Sequence, residues 1–264
     1  RVSETLAVLV ARIKDAKRLT ILTGSGVSAA SGVPTFRGQN GLWRQYRSED
    51  LATPDAFARD PQLVWEWYAQ RRELIAACRP NTAHDVIAAW SRNAGCRVVT
   101  QNVDDLHLQA GTRNLVRMHG SIWELLCWGR CAAGMTPWRN DRVPMTDFPP
   151  QCPHCGCIAR PAVIWFGESL RPENLDAAVR ATACDVFLTV GTSALVYPAA
   201  GLVHSARRHG AFTAEINLED TPASTAVDVV IRASAEQVLP TVAQLLSLRQ
   251  IQRPKPKTLA LNPQ

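Results

Sequence analysis

Leu19-Thr20-Ile21-Leu22-Thr23-Gly24-Ser25-Gly26-Val27-Ser28-Ala29 runs from an apolar, β-rich segment straight into a glycine-rich turn. A strand that ends in Gly-x-Gly lets backbone amides approach a pyrophosphate at the start of the next helix. Ala29 holds the third position of that fingerprint, where Gly or Ala fits. The same turn also occurs for purely structural reasons, so the surrounding pattern has to carry the reading. Further β-rich runs at 97–100, 186–190, 214–217 and 227–231 alternate with helical patterns at 3–17, 61–77, 82–91, 172–183, 198–209 and 235–246. This alternation predicts an α/β fold, a Rossmann-like parallel sheet with helices on both faces. Two stretches interrupt it. Residues 34–54 read as a long loop, and residues 120–161, rich in Cys and Pro, read as a smaller inserted domain. The expected organisation is a nucleotide-binding domain from 1–35, 81–119 and 162–250, a loop and helical module at 36–80, the insert at 120–161 and a flexible tail at 251–264.

The 264 residues are 46% hydrophobic and carry a net charge of +6, which supports a packed core and excludes a disordered chain. Lysine occurs only at Lys14, Lys17, Lys255 and Lys257, so arginine carries the positive charge. The arginines are spread along the chain rather than gathered in a stripe. That distribution reads as the codon bias of a GC-rich, bacterial genome, not as a nucleic-acid footprint. No apolar run reaches the roughly 20 residues of a membrane helix, and no secretory signal is legible. A cytoplasmic monomer with neither a nucleic-acid nor a membrane partner is expected.

Among the eight cysteines, Cys127 and Cys131 form one pair and Cys152 and Cys155 a second, at a spacing that suits zinc. Four thiolates close a tetrahedral site, which is structural rather than catalytic. Cys152-Pro153-His154-Cys155-Gly156 is a zinc knuckle. The first pair has three intervening residues, which leaves Cys157 and His154 open as substitute ligands. Cys78, Cys96 and Cys184 read as buried thiols, and a reducing compartment is expected.

Polar groups gather where strands end. Thr100-Gln101-Asn102-Val103-Asp104-Asp105-Leu106-His107 follows one strand, Gly191-Thr192-Ser193 another, and His119 follows the strand-like 115–118. The carboxyl edge of an open α/β sheet is where ligands bind. Within Trp65-Glu66-Trp67-Tyr68-Ala69-Gln70-Arg71-Arg72, Tyr68 and Arg71 are three apart and share a helix face, so a guanidinium and a phenol can meet one carboxylate. Taken alone, each of these runs also has a bland reading as a capped turn or an amphipathic helix.

The segment Gly32-Val33-Pro34-Thr35-Phe36-Arg37-Gly38 is required by neither helix nor strand, and no acidic residue closes a second strand where a dehydrogenase would have one. Gly24 to Gly38 resembles the cofactor loop of the sirtuins, and the other runs agree from Gly24 to about Glu219. The resemblance implies an NAD-dependent protein deacylase with a structural zinc. It assigns Gly24, Ser25, Gly26, Ala29, Thr35, Phe36, Arg37 and Trp43 to the cofactor loop. Gln101, Asn102, Val103 and Asp104 would meet the nicotinamide ribose and carboxamide. Gly191, Thr192 and Ser193 would form the second nucleotide contact, and Asn217, Leu218, Glu219 and Ala235 would surround the adenosine. His119 becomes the catalytic base, with Asn102 beside it. Val163, Trp165, Phe166 and Gly167 would bracket an acylated-lysine peptide or protein. Tyr68 and Arg71 resemble the class III signature that reads succinyl- and malonyl-lysine. The implied products are nicotinamide, free lysine and O-acyl-ADP-ribose. His84 and His107 are read as structural, and His204 and His209 as solvated.

The departures are Ser25 where the family usually has Ala, the longer first cysteine interval, and the surplus Cys157. Two rivals are weighed. Tyr68, Arg71 and the peptide-bracketing run speak against a mono-ADP-ribosyltransferase or NAD-cleaving enzyme. His119 and Gln101-Asn102-Val103-Asp104 speak against a non-catalytic binding module.

Overall fold

The computed structural model describes residues 2–34, 42–43 and 46–251. Thr35, Phe36, Arg37 and the tail after residue 251 lie outside the described residues, as does the side chain of Trp43. After α1 (Val2–Asp15) the chain enters β1 (Leu19–Thr23) and the single-turn α2 (Gly26–Ala29). A ribbon of β2 (Leu42–Trp43) and β3 (Tyr46–Arg47) leads to α3 (Ser48–Leu51), α4 (Pro54–Arg59) and α5 (Pro61–Ala76). Then come α6 (Thr82–Trp90), β4 (Cys96–Thr100), α7 (Leu106–Gln109) and β5 (Leu115–Arg117). The insert contributes β6 (Gly120–Cys127), β7 (Trp138–Arg139) and β8 (Ala159–Val163). The chain ends its main domain with α8 (Pro172–Ala181), β9 (Val186–Val190), α9 (Leu202–Arg208), β10 (Phe212–Asn217), β11 (Val229–Arg232) and α10 (Ala235–Ile251).

Six strands pair in parallel in the order β11-β10-β9-β1-β4-β5. Side chains alternate between the two faces. Ile21, Val98 and Leu188 pack with Leu9, Ile87 and Leu239 of α1, α6 and α10. Leu22, Val99 and Phe187 pack on the other face with Ala178, Leu202 and Val203 of α8 and α9. Both faces are covered, as the near-continuous apolar strands require. From β1 the chain moves outward through β4 to β5, then crosses to β9 on the other flank. The loops leaving β1, β4 and β9 therefore diverge at a topological switch point, which opens a crevice.

The stretch 34–54, expected to be a loop, contains the β2–β3 ribbon and α3. The next two helices start at side-chain caps. Thr53 accepts from the Ala56 amide ahead of Pro54, and Asp60 from the Leu63 amide ahead of Pro61. The expected helix at 198–209 opens as a 3-10 turn, Ala199–Gly201, before α9. In the insert, β7, β6 and β8 form an antiparallel sheet whose apolar side shares one core with α4 and α5 through Phe57, Trp65, Ile122, Leu125 and Trp165. Trp65 Nε1 donates to the Ala159 carbonyl at 2.8 Å, and buried Arg72 donates to the Ile122 carbonyl at 2.8 Å and Asn140 Oδ1 at 3.0 Å. The guanidinium lies against the Trp65 and Trp123 rings, and its Nη2 has no hydrogen-bond partner among the described residues. The two neighbouring arginines thus have different surroundings: Arg72 is core and Arg71 lines a cavity.

Candidate active site

Two strand-end turns interlock at the switch point. The Gly24 amide donates to the Val190 carbonyl at 3.1 Å and the Gly26 amide to the Gly191 carbonyl at 2.8 Å. A Cβ on Gly24 would fall 2.7 Å from Thr192 Cα, and one on Gly26 would fall 2.8 Å from Gly191 Cα. The glycines are therefore demanded by contact between the turns themselves, whatever ligand lies above them. The helix that follows is a single turn, so little dipole accumulates at its start. Ala29 is exposed on it and does not line the cavity.

The end of β4 ties these turns together. Gln101 Nε2 donates to Thr192 Oγ1 at 2.8 Å, and Asn102 Nδ2 donates to the Gly24 carbonyl at 3.0 Å and Ser28 Oγ at 3.2 Å. Asp104 is buried and accepts from the Leu106 amide at 2.9 Å. Burial raises its pKa above the usual carboxylate range. His119 Nδ1 lies 3.0 Å from the Gln101 carbonyl. A carbonyl only accepts, so Nδ1 carries the proton and Nε2 keeps its lone pair. Burial lowers the His119 pKa and outweighs the opposing effect of that hydrogen bond.

Above these groups lies a cavity of about 530 Å³, within the range of small-molecule sites. Gly24, Ser25, Gln101, Asn102, Val103 and Asp104 line it, together with His119, Thr192 and Ser193. Tyr68 and Arg71, on one face of α5, and Val163, Trp165, Phe166 and Gly167 after β8 line the same cavity. Tyr68 is buried, and its hydroxyl accepts from Trp165 Nε1 at 2.9 Å. Burial pushes its pKa up to about 12, so the phenol stays protonated. The Arg71 guanidinium lies 5.2 Å from the Trp67 ring centre, and burial lowers its pKa.

Several residues expected at the cofactor are not among the lining of this cavity. Gly26, Gly191, Asn217, Leu218, Glu219 and Ala235 do not line this cavity. Asn217 acts through the turn, donating from Nδ2 to the Thr192 carbonyl at 3.0 Å and accepting from the Leu218 amide. Leu218 and Glu219 are exposed beyond β10, and Ala235 is buried at the start of α10. Sequence reasoning missed Ile75, one helical turn beyond Arg71, and Glu168, one residue past Gly167. The first was legible from its spacing. The second is placed by a partner eight residues back, Arg160, which no local pattern announces.

The Sγ atoms of Cys127, Cys131, Cys152 and Cys155 lie within 4.8 Å of one another. Cys127 and Cys155 are 3.5 Å apart, and Cys131 and Cys152 are 3.7 Å apart. The edge of a tetrahedron with zinc–sulfur bonds of about 2.3 Å is about 3.8 Å, so the thiols fit a structural zinc. Cys157 and His154 are not part of this group. A Cβ on Gly134 would fall 2.8 Å from the Cys131 sulfur and 3.0 Å from that of Cys152, which makes this glycine part of the cage. Among the described residues no helix is long and apolar enough to cross a membrane.

Residues 24–198 match the Sir2 family. The NAD-dependent protein deacylase 1 of Caldanaerobacter subterraneus subsp. tengcongensis is 45% identical over 219 residues, which is 82% of this chain and 89% of that protein. The NAD-dependent protein deacylase 2 of Pyrobaculum aerophilum is 45% identical over 239 residues, 90% of this chain and 94% of that one. Among solved structures, a Sir2 homologue complexed with NAD superposes with a TM-score of 0.86 at 41% identity, covering 92% of this chain and 94% of its own. A mutant Sir2 homologue bound to ADP-ribose gives 0.87 at 40% identity, covering 94% and 99%.

Proposed function

The chain belongs to the Sir2 family, and from that premise we propose that it is an NAD-dependent protein-lysine deacylase that favours acyl groups ending in a carboxylate, such as succinyl and malonyl. The observation that carries the reading is the presence of Tyr68 and Arg71 in the same cavity as His119. A guanidinium partly withdrawn from water gains most from a carboxylate that meets it with two hydrogen bonds. Tyr68, protonated and held by Trp165, adds a donor beside it.

NAD is the second substrate, supplying the ribosyl carbon that takes the acyl oxygen while nicotinamide leaves. The chain's own residues do the rest. Nε2 of His119, neutral near pH 7 because burial lowers its pKa, takes a proton from a ribose hydroxyl. Gln101 fixes the tautomer through its carbonyl and braces the Thr192 turn through its amide. Asn102 and Asp104 present polar groups at the ribose end, and Val163, Trp165 and Phe166 wall the acyl end from bulk water. The residues after β8 run along the cavity in a position to hold a peptide backbone.

The test compares kcat/KM for matched acetyl- and succinyl-lysine peptides in the native protein and in Arg71→Met. A charge-assisted pair predicts a loss of roughly 10- to 100-fold on the succinyl substrate, with a much smaller change on acetyl. Equal losses on both substrates would remove the carboxylate assignment.

A further inference from the structure

Beside the acyl cavity lies a second one of about 640 Å³, and Val163, Ile164, Glu168 and Ser169 line both. The second cavity lies between the end of β8 and the turn after β6. Three arginines border it, Arg130, Arg160 and Arg171, against one carboxylate, Glu168. Arg160 and Glu168 neutralise each other through two hydrogen bonds, of 2.5 and 2.8 Å, and Glu168 also accepts from the Trp165 amide. Burial raises the Glu168 pKa, but Arg160, that amide and the nearby charge of Arg130 outweigh it and hold the carboxyl below the usual range. Glu168 is thus ionised and already engaged.

Arg130 and Arg171 are in no ion pair among the described residues. Arg130 closes the three-residue interval between Cys127 and Cys131. It adopts a left-handed backbone (φ +56°), with its amide donating to the Cys127 carbonyl at 3.2 Å. Arg171 is the N-cap residue of α8, where the helix dipole offers a cation no help. Two guanidinium groups that are in no ion pair, Arg130 close enough for Glu168 to feel its charge, therefore border a groove that shares a wall with the acyl-lysine cavity.

We propose that Arg130 and Arg171 select acyl-lysine peptides bearing an acidic side chain within two residues of the modified lysine. The inference rests on the deacylase reading above. An extended peptide laid along residues 163–169 presents alternate side chains to opposite sides. A lysine in the first cavity then places its neighbours at the mouth of the second. An aspartate or glutamate there meets two cations without displacing the Arg160–Glu168 pair.

The experiment uses labelled succinyl-lysine peptides that differ only at the flanking positions, carrying Glu, Ala or Lys in turn. Binding is read by fluorescence anisotropy, and NAD-dependent release of free lysine by mass spectrometry. Each partly exposed arginine–carboxylate pair is worth up to about five-fold, so Glu-flanked peptides should exceed Lys-flanked ones by roughly 5- to 20-fold in both readouts. The ratio should shrink in roughly 0.5 M salt. In the Arg130→Glu, Arg171→Glu double variant it should invert. Because the ratio is taken within each preparation, a partly unfolded variant does not distort it. Equal affinity for all three flanks, or an unchanged ratio in the variant, overturns the proposal. Flank preference in binding without turnover would keep the groove and sink the deacylase, while turnover without preference would do the reverse.

Discussion

Lowering the pH should unfold this protein through two buried histidines that do not line the cavity. His84 and His107 are buried behind the glycine turn, with ring centres 4.9 Å apart. His107 Nε2 lies 2.9 Å from Thr23 Oγ1, and its Nδ1 has no partner among the described residues. His84 Nδ1 accepts from the Asn81 amide at 3.3 Å. Burial takes the His84 pKa down to about 4. Burial and the neighbouring His84 take His107 down to about 3. In the unfolded chain both return to about 6.5. Below that value the unfolded state binds protons that the folded state refuses. The stabilisation is complete above pH 6.5 and is lost as the pH falls towards 4. At pH 5 each histidine should remove about 2 kcal/mol, or about 4 kcal/mol together, a large share of a typical domain's stability. Urea unfolding followed by tryptophan fluorescence at pH 7 and pH 5 measures it. Acid also weakens thiolate–zinc bonds, so the decisive quantity is the difference between the native protein and His107→Gln. That difference should be about 2 kcal/mol in the pH-dependent loss. A variant that loses as much on acidification as the native protein would refute the argument.

The Gly134→Ala substitution should evict zinc, because its methyl group collides with Cys127, Cys131 and Cys152. Metal content by elemental analysis should fall together with Tm, and a full zinc complement would contradict the cage. With His119 as the proposed base its neutral form is the active one, and burial lowers its pKa, so kcat/KM should rise with pH along a limb centred below 6.5; a centre at or above pH 7 would deny it the role of base. Glu215, fully buried and accepting from Thr221, Ser224 and Arg232, anchors the loop beyond β10. Glu215→Ala should cost about 2–4 kcal/mol in chemical denaturation, and a loss below about 1 kcal/mol would show that the cluster is not structural.

The main sheet was legible because each central strand is buried on both faces, leaving short runs such as Leu19–Thr23 and Val186–Val190 with no competing helical period. The inserted domain was legible as a Cys- and Pro-rich stretch, but its strands were not, for two physical reasons. A register irregularity between Ser121 and Leu125 breaks the alternation of β6, and Pro161 sits inside β8, which is tolerated because β8 is an edge strand of its sheet. Helix α4 was missed although Thr53-Pro54 is an N-cap followed by a first-turn proline. In the site, local motifs located Gln101, Asn102, Asp104, His119, Tyr68 and Arg71, and the fold brings all six to one cavity. The four zinc-spaced cysteines also converge, and Cys157 and His154 are not in their cluster. What stayed hidden depends on tertiary contact: the glycines serve turn-to-turn packing, Arg72 goes inward while Arg71 lines the cavity, and Asn217 braces Thr192.

The most direct test of the central claim is to incubate the protein with NAD and a succinyl-lysine peptide, following nicotinamide and free lysine peptide together by mass spectrometry. The account predicts that the two products appear in equal amounts, that neither forms without the other substrate, and that His119→Ala abolishes free lysine. Nicotinamide released without deacylated peptide would contradict it and mark the cavity as the site of an NAD-cleaving or ADP-ribosyl-transferring enzyme.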